Sequence, residues 1–281
     1  MRLLTALTVL VLAFSNSTTY ALEATVMSFN VRFGTANDGP DAWEHRREMV
    51  VETIRDAEPD IVGLQECLDF QAMYIVENLA NYAWIGLGRD ADGTGEMTAI
   101  VYRTDRLLPV ATNHHWLSET PQIPGSVSWD SSLTRIVSRI MFFHIQEKSR
   151  FAFYNTHFDH RGEVARQESS RLLVALMSKE TVPVVLTGDF NAAGGDSEPW
   201  RILIAGGFLD AWDNAKEQSG PANTWNGFKK PAADAHKRID WIFVSPGVSV
   251  STCTTIDRDV DGHFPSDHFP VVARVHLSAE G

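Results

Sequence analysis

Six short segments of this chain set a carboxylate, an amide or an imidazole beside an apolar run. They are Met27-Ser28-Phe29-Asn30, Leu64-Gln65-Glu66, Asn155-Thr156-His157-Phe158-Asp159-His160, Thr187-Gly188-Asp189-Phe190-Asn191, Arg238-Ile239-Asp240 and Ser266-Asp267-His268-Phe269-Pro270. A charged group that emerges from a buried strand must be solvated, paired or metal-bound. Glu66, Asp267 and Asn30 offer oxygen ligands, with Asp189 and Asn191 as further oxygen donors. Oxygen donors without a cysteine or paired-histidine spacing suit Mg²⁺, Mn²⁺ or Ca²⁺ better than structural zinc.

His268 with Asp240 makes one candidate carboxylate–imidazole pair, and His157 with Glu96 makes a second. A neighbouring carboxylate fixes the imidazole tautomer and raises its basicity, which suits proton transfer near neutral pH. Two such pairs astride a phosphate suit an attacking water and a leaving oxygen, with a metal supplying charge stabilisation between them. Asn30 and Asn191 can donate amide hydrogens to phosphate oxygens without adding negative charge. Asp189 and Asn191 share one side if the chain is extended there; an Asx turn after Gly188 is the structural alternative.

These groups need strands to carry them. A β-rich stretch over 24–33 reads as an opening strand ending near Asn30, followed by a helix over 44–57 with its apolar residues at helical spacing. A short buried strand over 61–64 releases Gln65 and Glu66, and 70–79 reads as helix. Residues 97–102 are sheet-like, with 107–116 as their expected antiparallel neighbour. The stretch 117–134, with Pro121, Pro124 and Gly125, reads as a long loop of the kind that often carries function. A hairpin is expected from 136–145 and 151–156, an amphipathic helix over 163–177 and strands over 182–186, 239–244, 248–255 and 271–277. Strands outnumber helices, and the helices are one-sided, which points to sheets packed on each other with helices outside. No glycine-rich dinucleotide loop follows the first strand.

Met1-Arg2, twelve mostly apolar residues from Leu3 to Phe14 and the exit Thr19-Tyr20-Ala21 describe a secretory signal peptide over 1–21, too short to span a bilayer. The expected mature protein, residues 22–281, is then one domain, secreted or periplasmic, with no stable membrane insertion and no obligate protein partner. The net charge of -12 becomes one unit more negative without Arg2, and it weighs against tight, sequence-blind DNA binding. Cys67 and Cys253 are the only cysteines; a single disulfide and two buried thiols both stay open.

Taken together, the six segments resemble the endonuclease/exonuclease/phosphatase (DNase I-like) superfamily, from Met27 through Pro270, as a compact secreted member. The resemblance implies an α/β four-layer sandwich, two central mixed β-sheets with helices outside. It implies Glu66 as the main divalent-ion ligand with Asn30 and Asp267 close by. Asp189 would orient or deprotonate water, Asn191 would hold phosphate and Asp240 would orient His268. Glu96 and His157 match the second pair of the DNase-like branch, and His157 separates the chain from the abasic-site branch.

Substrate choice falls to loops. Arg135, His160 and Trp225 are candidate substrate contacts, and Trp43, Arg46, Arg47 and Trp129 are further aromatic and cationic loop residues. The expected activity is metal-dependent phosphoesterase chemistry on a small molecule or nucleic acid, a phosphodiester ahead of a monoester. The rivals are an extracellular DNase, an inositol- or sugar-phosphate phosphatase, and a catalytically silent binding protein on the same scaffold.

Overall fold

The computed structural model describes residues 21–232 and 235–278; residues 1–20 of the expected signal segment lie outside them. The elements in chain order are β1 (Ala21–Asn30), α1 (Trp43–Ala57), β2 (Ile61–Gln65), α2 (Asp69–Glu77), β3 (Tyr82–Ile85), β4 (Ile100–Arg103), β5 (Leu107–Trp116), β6 (Ile136–His144), β7 (Arg150–His157), α3 (Glu163–Met177), β8 (Val184–Asp189), α4 (Glu198–Ala205), β9 (Leu209–Asp210), α5 (Ala211–Asn214), β10 (Glu217–Ser219), β11 (Asp240–Val244), β12 (Val248–Thr255) and β13 (Val271–Ser278). They form a seven-stranded sheet in the order β10-β12-β13-β1-β2-β4-β3 and a six-stranded sheet in the order β5-β6-β7-β8-β11-β9. Both sheets are mixed, because β1–β2 and β7–β8 are parallel pairs among antiparallel neighbours.

Strand alternation builds the layers. On β1, Leu22, Ala24 and Val26 face the second sheet, where Phe151, Phe153 and Val185 meet them in the inter-sheet core. Met27 and Phe29, on the opposite face, pack with Val50, Ile54 and Ile75 of α1 and α2. Tyr154 and Leu186 likewise turn outward against Leu173 and Met177 of α3 and Leu203 of α4. The result is helix–sheet–sheet–helix, the four-layer sandwich expected from the sequence.

One expected pairing is corrected. Strand β5 does not pair with β4: it pairs with β6 in the six-stranded sheet, while β4 lies between β2 and β3 in the other. The three residues 104–106 between them carry the chain from one sheet to the other. A short connection suggested a hairpin; the longer antiparallel partner offered by β6 is what β5 takes. The two cysteines are both buried and unbonded, Cys67 in the core under α1 and α2 and Cys253 in the inter-sheet core. Among the described residues no helix is long and apolar enough to cross a membrane.

Candidate active site

Three polar residues of the six-stranded sheet stand in one register row. His157 of β7 lies opposite Asp189 of β8, and Asp189 lies opposite Asp240 of β11. The other sheet supplies Asn30 at the end of β1, in register with Gln65 of β2, and Glu66 one residue beyond. Glu66 leaves its strand with φ +56°, a left-handed turn that costs a non-glycine residue about 1–3 kcal/mol. That turn lets its carboxylate accept from Asn30 Nδ2 at 3.1 Å and from the Phe33 amide at 3.2 Å.

Asp189 is the hub. Its Oδ2 accepts from Asn30 Nδ2 at 2.9 Å and lies 3.4 Å from His157 Nε2 and 3.8 Å from His268 Nε2. Its Oδ1 accepts from the backbone amide of Asn191 at 2.9 Å, an Asx turn with Asn191 at φ +48°. Asp189-Phe190-Asn191 is thus not extended: the Asx-turn alternative holds, and the turn presents the carboxylate. Burial, with the charge of Asp240 beside it, pushes the Asp189 carboxyl up to about 7.

The two histidines are shifted in opposite directions. His268 Nδ1 sits 2.9 Å from Asp240 Oδ2. Burial opposes its protonation, but the carboxylates of Asp240 and Asp189 outweigh burial and hold it well above the ordinary histidine range. His157 is held well below that range by burial and by Arg135 and Arg89. With that ring neutral, Asn191 Nδ2 donates to its Nε2 at 3.1 Å. Glu96 does not pair with His157: its two oxygens take a bidentate pair of bonds from Arg89 at 2.7 and 2.9 Å. Glu96 follows Gly95, at φ +84°, on the same loop as Arg89, and a planar guanidinium so near satisfies both carboxylate oxygens at once. Arg89 was not singled out in the sequence, and no local signal marks it.

The remaining candidates surround this centre. Arg135 is 4 % exposed, with Nη2 3.2 Å from His160 Nδ1 and Nε 3.8 Å from Asp159 Oδ2; its Nε and Nη1 have no hydrogen-bond partner. It shares a small cavity with Arg89, Glu96, Thr98 and His157. Trp225 bridges the backbone of His268 and is partly exposed, with Lys237 Nζ 3.6 Å above its ring. Asp267 contributes its carbonyl to the amides of Asn226 and Gly227, and burial, with Glu66 nearby, raises its carboxyl. Arg46 is buried and its guanidinium is committed to backbone, donating to the carbonyls of Val31, Arg32, Asp41 and Pro265 at 2.6 to 3.0 Å. Trp43 is buried in the core beside it.

The donor set fits a divalent cation. Ligand atoms of Glu66, His157 and Asp189 lie within 4.8 Å of one another, as do those of Asp189, Asp240 and His268. Asp240 Oδ1 is buried without a partner, and the raised carboxyls of Asp189 and Asp267 report negative charge that a cation would relieve.

Comparison with known proteins agrees with the fold. The family model described as Endonuclease/Exonuclease/phosphatase family matches residues 27–268. An uncharacterized protein of Acanthamoeba polyphaga mimivirus is 30% identical over 250 residues, covering 82% of this chain and 91% of its own. The crystal structure of an endonuclease/exonuclease/phosphatase from Bacteroides vulgatus superposes with a TM-score of 0.87 at 32% identity, over 92% of this chain and 100% of that one. A mannosyl-6-phosphatase of Bacteroides thetaiotaomicron superposes with a TM-score of 0.84 at 34% identity, over 90% of this chain and 99% of that one.

Proposed function

The chain belongs to the endonuclease/exonuclease/phosphatase family, and on that footing we propose that it is a divalent-metal-dependent phosphoesterase whose substrate is a phosphorylated sugar. One observation carries the chemistry: Asp189 Oδ2 meets Asn30, His157 and His268 at 2.9, 3.4 and 3.8 Å, with Asp240 bonded behind His268. Glu66 would hold the metal, with the Asp189 carboxylate within reach and Asn30 and Asp267 beside it. When bound, it neutralises phosphate charge and eases departure of the leaving oxygen.

The protein groups divide the remaining work. Asp189, fixed by the Asn191 amide and by Asn30, is placed to orient a water and accept its proton. His268, charged through Asp240, donates from Nε2 to a phosphoryl oxygen as negative charge develops there. Asn191 and neutral His157 line the opposite side.

The sequence favoured a phosphodiester. Two observations move the proposal to a monoester. Arg135, buried beside His157 with two nitrogens that have no hydrogen-bond partner, brings positive charge to the wall of the site, which suits the additional charge of a terminal phosphate. The mannosyl-6-phosphatase relative, at 34% identity, is the second support.

The test is phosphate release from mannose 6-phosphate, other sugar phosphates and p-nitrophenyl phosphate, beside bis(p-nitrophenyl) phosphate and single-stranded DNA, with Mg²⁺ or Mn²⁺ or with chelator. The expected result is metal-dependent release from monoesters, abolished in His268→Ala. Arg135→Met should raise KM for the monoester about tenfold, roughly 1.4 kcal/mol. Faster turnover of the diester would reject the monoester assignment, and silence on all substrates would reject the phosphoesterase.

A further inference from the structure

Two residues behind Asn30, His157 and Asp189, on the same strand faces, stand Ser28, Asn155 and Thr187, each fully buried. They form a second polar row between the site and the apolar inter-sheet core. Asn155, on β7, spends its bonding capacity largely across the sheet gap. Its Nδ2 donates to the carbonyls of Leu64 at 2.8 Å and of Ala99 at 2.9 Å, both in the opposite sheet layer. Its Oδ1 accepts from Gln65 Nε2 at 2.7 Å and from Thr187 Oγ1 at 3.1 Å. Gln65 Nε2 also lies 3.2 Å from Ser28 Oγ on its own sheet.

We infer that Asn155 and Gln65 form a cross-sheet clasp that sets the spacing between the two halves of the site. Thr187, whose hydroxyl meets Asn155 Oδ1 and the Tyr154 carbonyl within the six-stranded sheet, buttresses it, and all three are positioning residues. One half is Asn30 and Glu66; the other is His157, Asp189 and Asp240. The inference rests on the proposed metal-dependent chemistry. Apolar packing between two sheets is non-directional, whereas these bonds are short and oriented. The clasp grips Leu64 O, two residues before Glu66, and Thr187, two residues before Asp189. A slip of one sheet over the other would therefore be felt at both. Stability alone does not require these groups, since apolar replacements of the same shape can be nearly neutral when both partners of a buried bond go. The hydrogen bonds are directional where a pair of apolar side chains would not be.

The test compares Thr187→Val, which keeps volume and loses the hydroxyl, with Thr187→Ser, which keeps the hydroxyl, and adds Gln65→Met. Thermal unfolding, Mn²⁺ binding by calorimetry, and kcat and KM on p-nitrophenyl phosphate are read on the full chain. Thr187→Val and Gln65→Met should fold, keep KM within about threefold, and lose about tenfold in kcat and in Mn²⁺ affinity, as supports of metal ligands commonly do. Thr187→Ser should restore both. Folded variants with wild-type kcat and Mn²⁺ affinity overturn the inference, as does a Ser variant no better than Val. Should Gln65→Met fail to fold, the Val/Ser pair decides. If the wild-type protein binds Mn²⁺ but hydrolyses no phosphate ester, the phosphoesterase reading falls and the Mn²⁺ arm still decides the clasp. A wild-type protein that binds no Mn²⁺ overturns both.

Discussion

Asp189 has one carboxylate oxygen facing Asn30, His157 and His268 and the other held by the Asn191 amide. Burial and Asp240 raise its pKa to about 7, and burial raises that of Asp267. A carboxyl raised in the folded state binds more protons there than in the unfolded chain. Its contribution to stability is complete below the ordinary carboxylate value near 4 and is lost as pH rises toward about 7. Metal-free protein should therefore carry a larger penalty at pH 8 than at pH 5, and a cation removes it. Thermal unfolding with chelator and with Mn²⁺ checks this: the Mn²⁺-induced rise in Tm should be larger at pH 8. An equal rise at both pH values would show that these carboxyls do not face the bound ion.

The turn between β7 and α3 shows how one element end organises a loop. Asp159 accepts from the amides of Arg161 and Gly162 on one oxygen, and from Ser132 N, Ser132 Oγ and Leu133 N on the other. Asp130 in the same long loop accepts from the amides of Val164 and Ala165 at the start of α3. The stretch 117–134 is thus tied at both carboxylates to the element that carries His160, and Arg135 follows directly. Burial works against the Asp159 charge, but the Gly162, Arg161 and Ser132 bonds and Arg135 hold its carboxyl well below the usual range. The sign is opposite to that of Asp189: this stability is present above about pH 4 and is lost only as pH falls below it. Asp159→Asn should lower unfolding free energy by about 2 kcal/mol at pH 7. Urea denaturation should show that gap constant from pH 5 to 8 and narrowing below pH 4. A gap that is absent at pH 7 would mean the loop is held by other contacts.

The two sheets come close together at Gly63. A methyl group there would lie 2.1 Å from Thr187 Oγ1 and 2.6 Å from Asn155 Oδ1, so the glycine is what lets the opposing rows meet. Gly63→Ala should destabilise the protein by about 1–3 kcal/mol, read as a lower urea midpoint at unchanged slope. A neutral result would show that Thr187 and Asn155 can withdraw at no cost, and that the sheets are not set by their close approach. The acidic surface is a whole-molecule property too: a net charge of -12 disfavours an extended polyanion while leaving a small phosphate ester accessible to a site with its own cations.

The longer strands, and the ends that carry the site residues, were legible in the sequence because alternation has a period of two residues and is visible locally. The short strands β3, β9 and β10 and the short helices α4 and α5 carry too few residues for such a pattern and were not. Asn30, Glu66, His157, Asp189, Asp240 and His268 could be named for that reason: each is a polar group at or beside an apolar run. The clasp carried the same signal, as Ser28, Asn155 and Thr187 stand two residues behind site residues, but the pattern could not say that they meet. Which strands are neighbours is a long-range choice, so sequence order puts β5 beside β4 while the fold pairs it with β6. Glu96 fared likewise, since the loop that carries it also brings Arg89 to both its oxygens. Sequence spacing fixes which face of a strand a side chain occupies; only packing fixes what stands across from it.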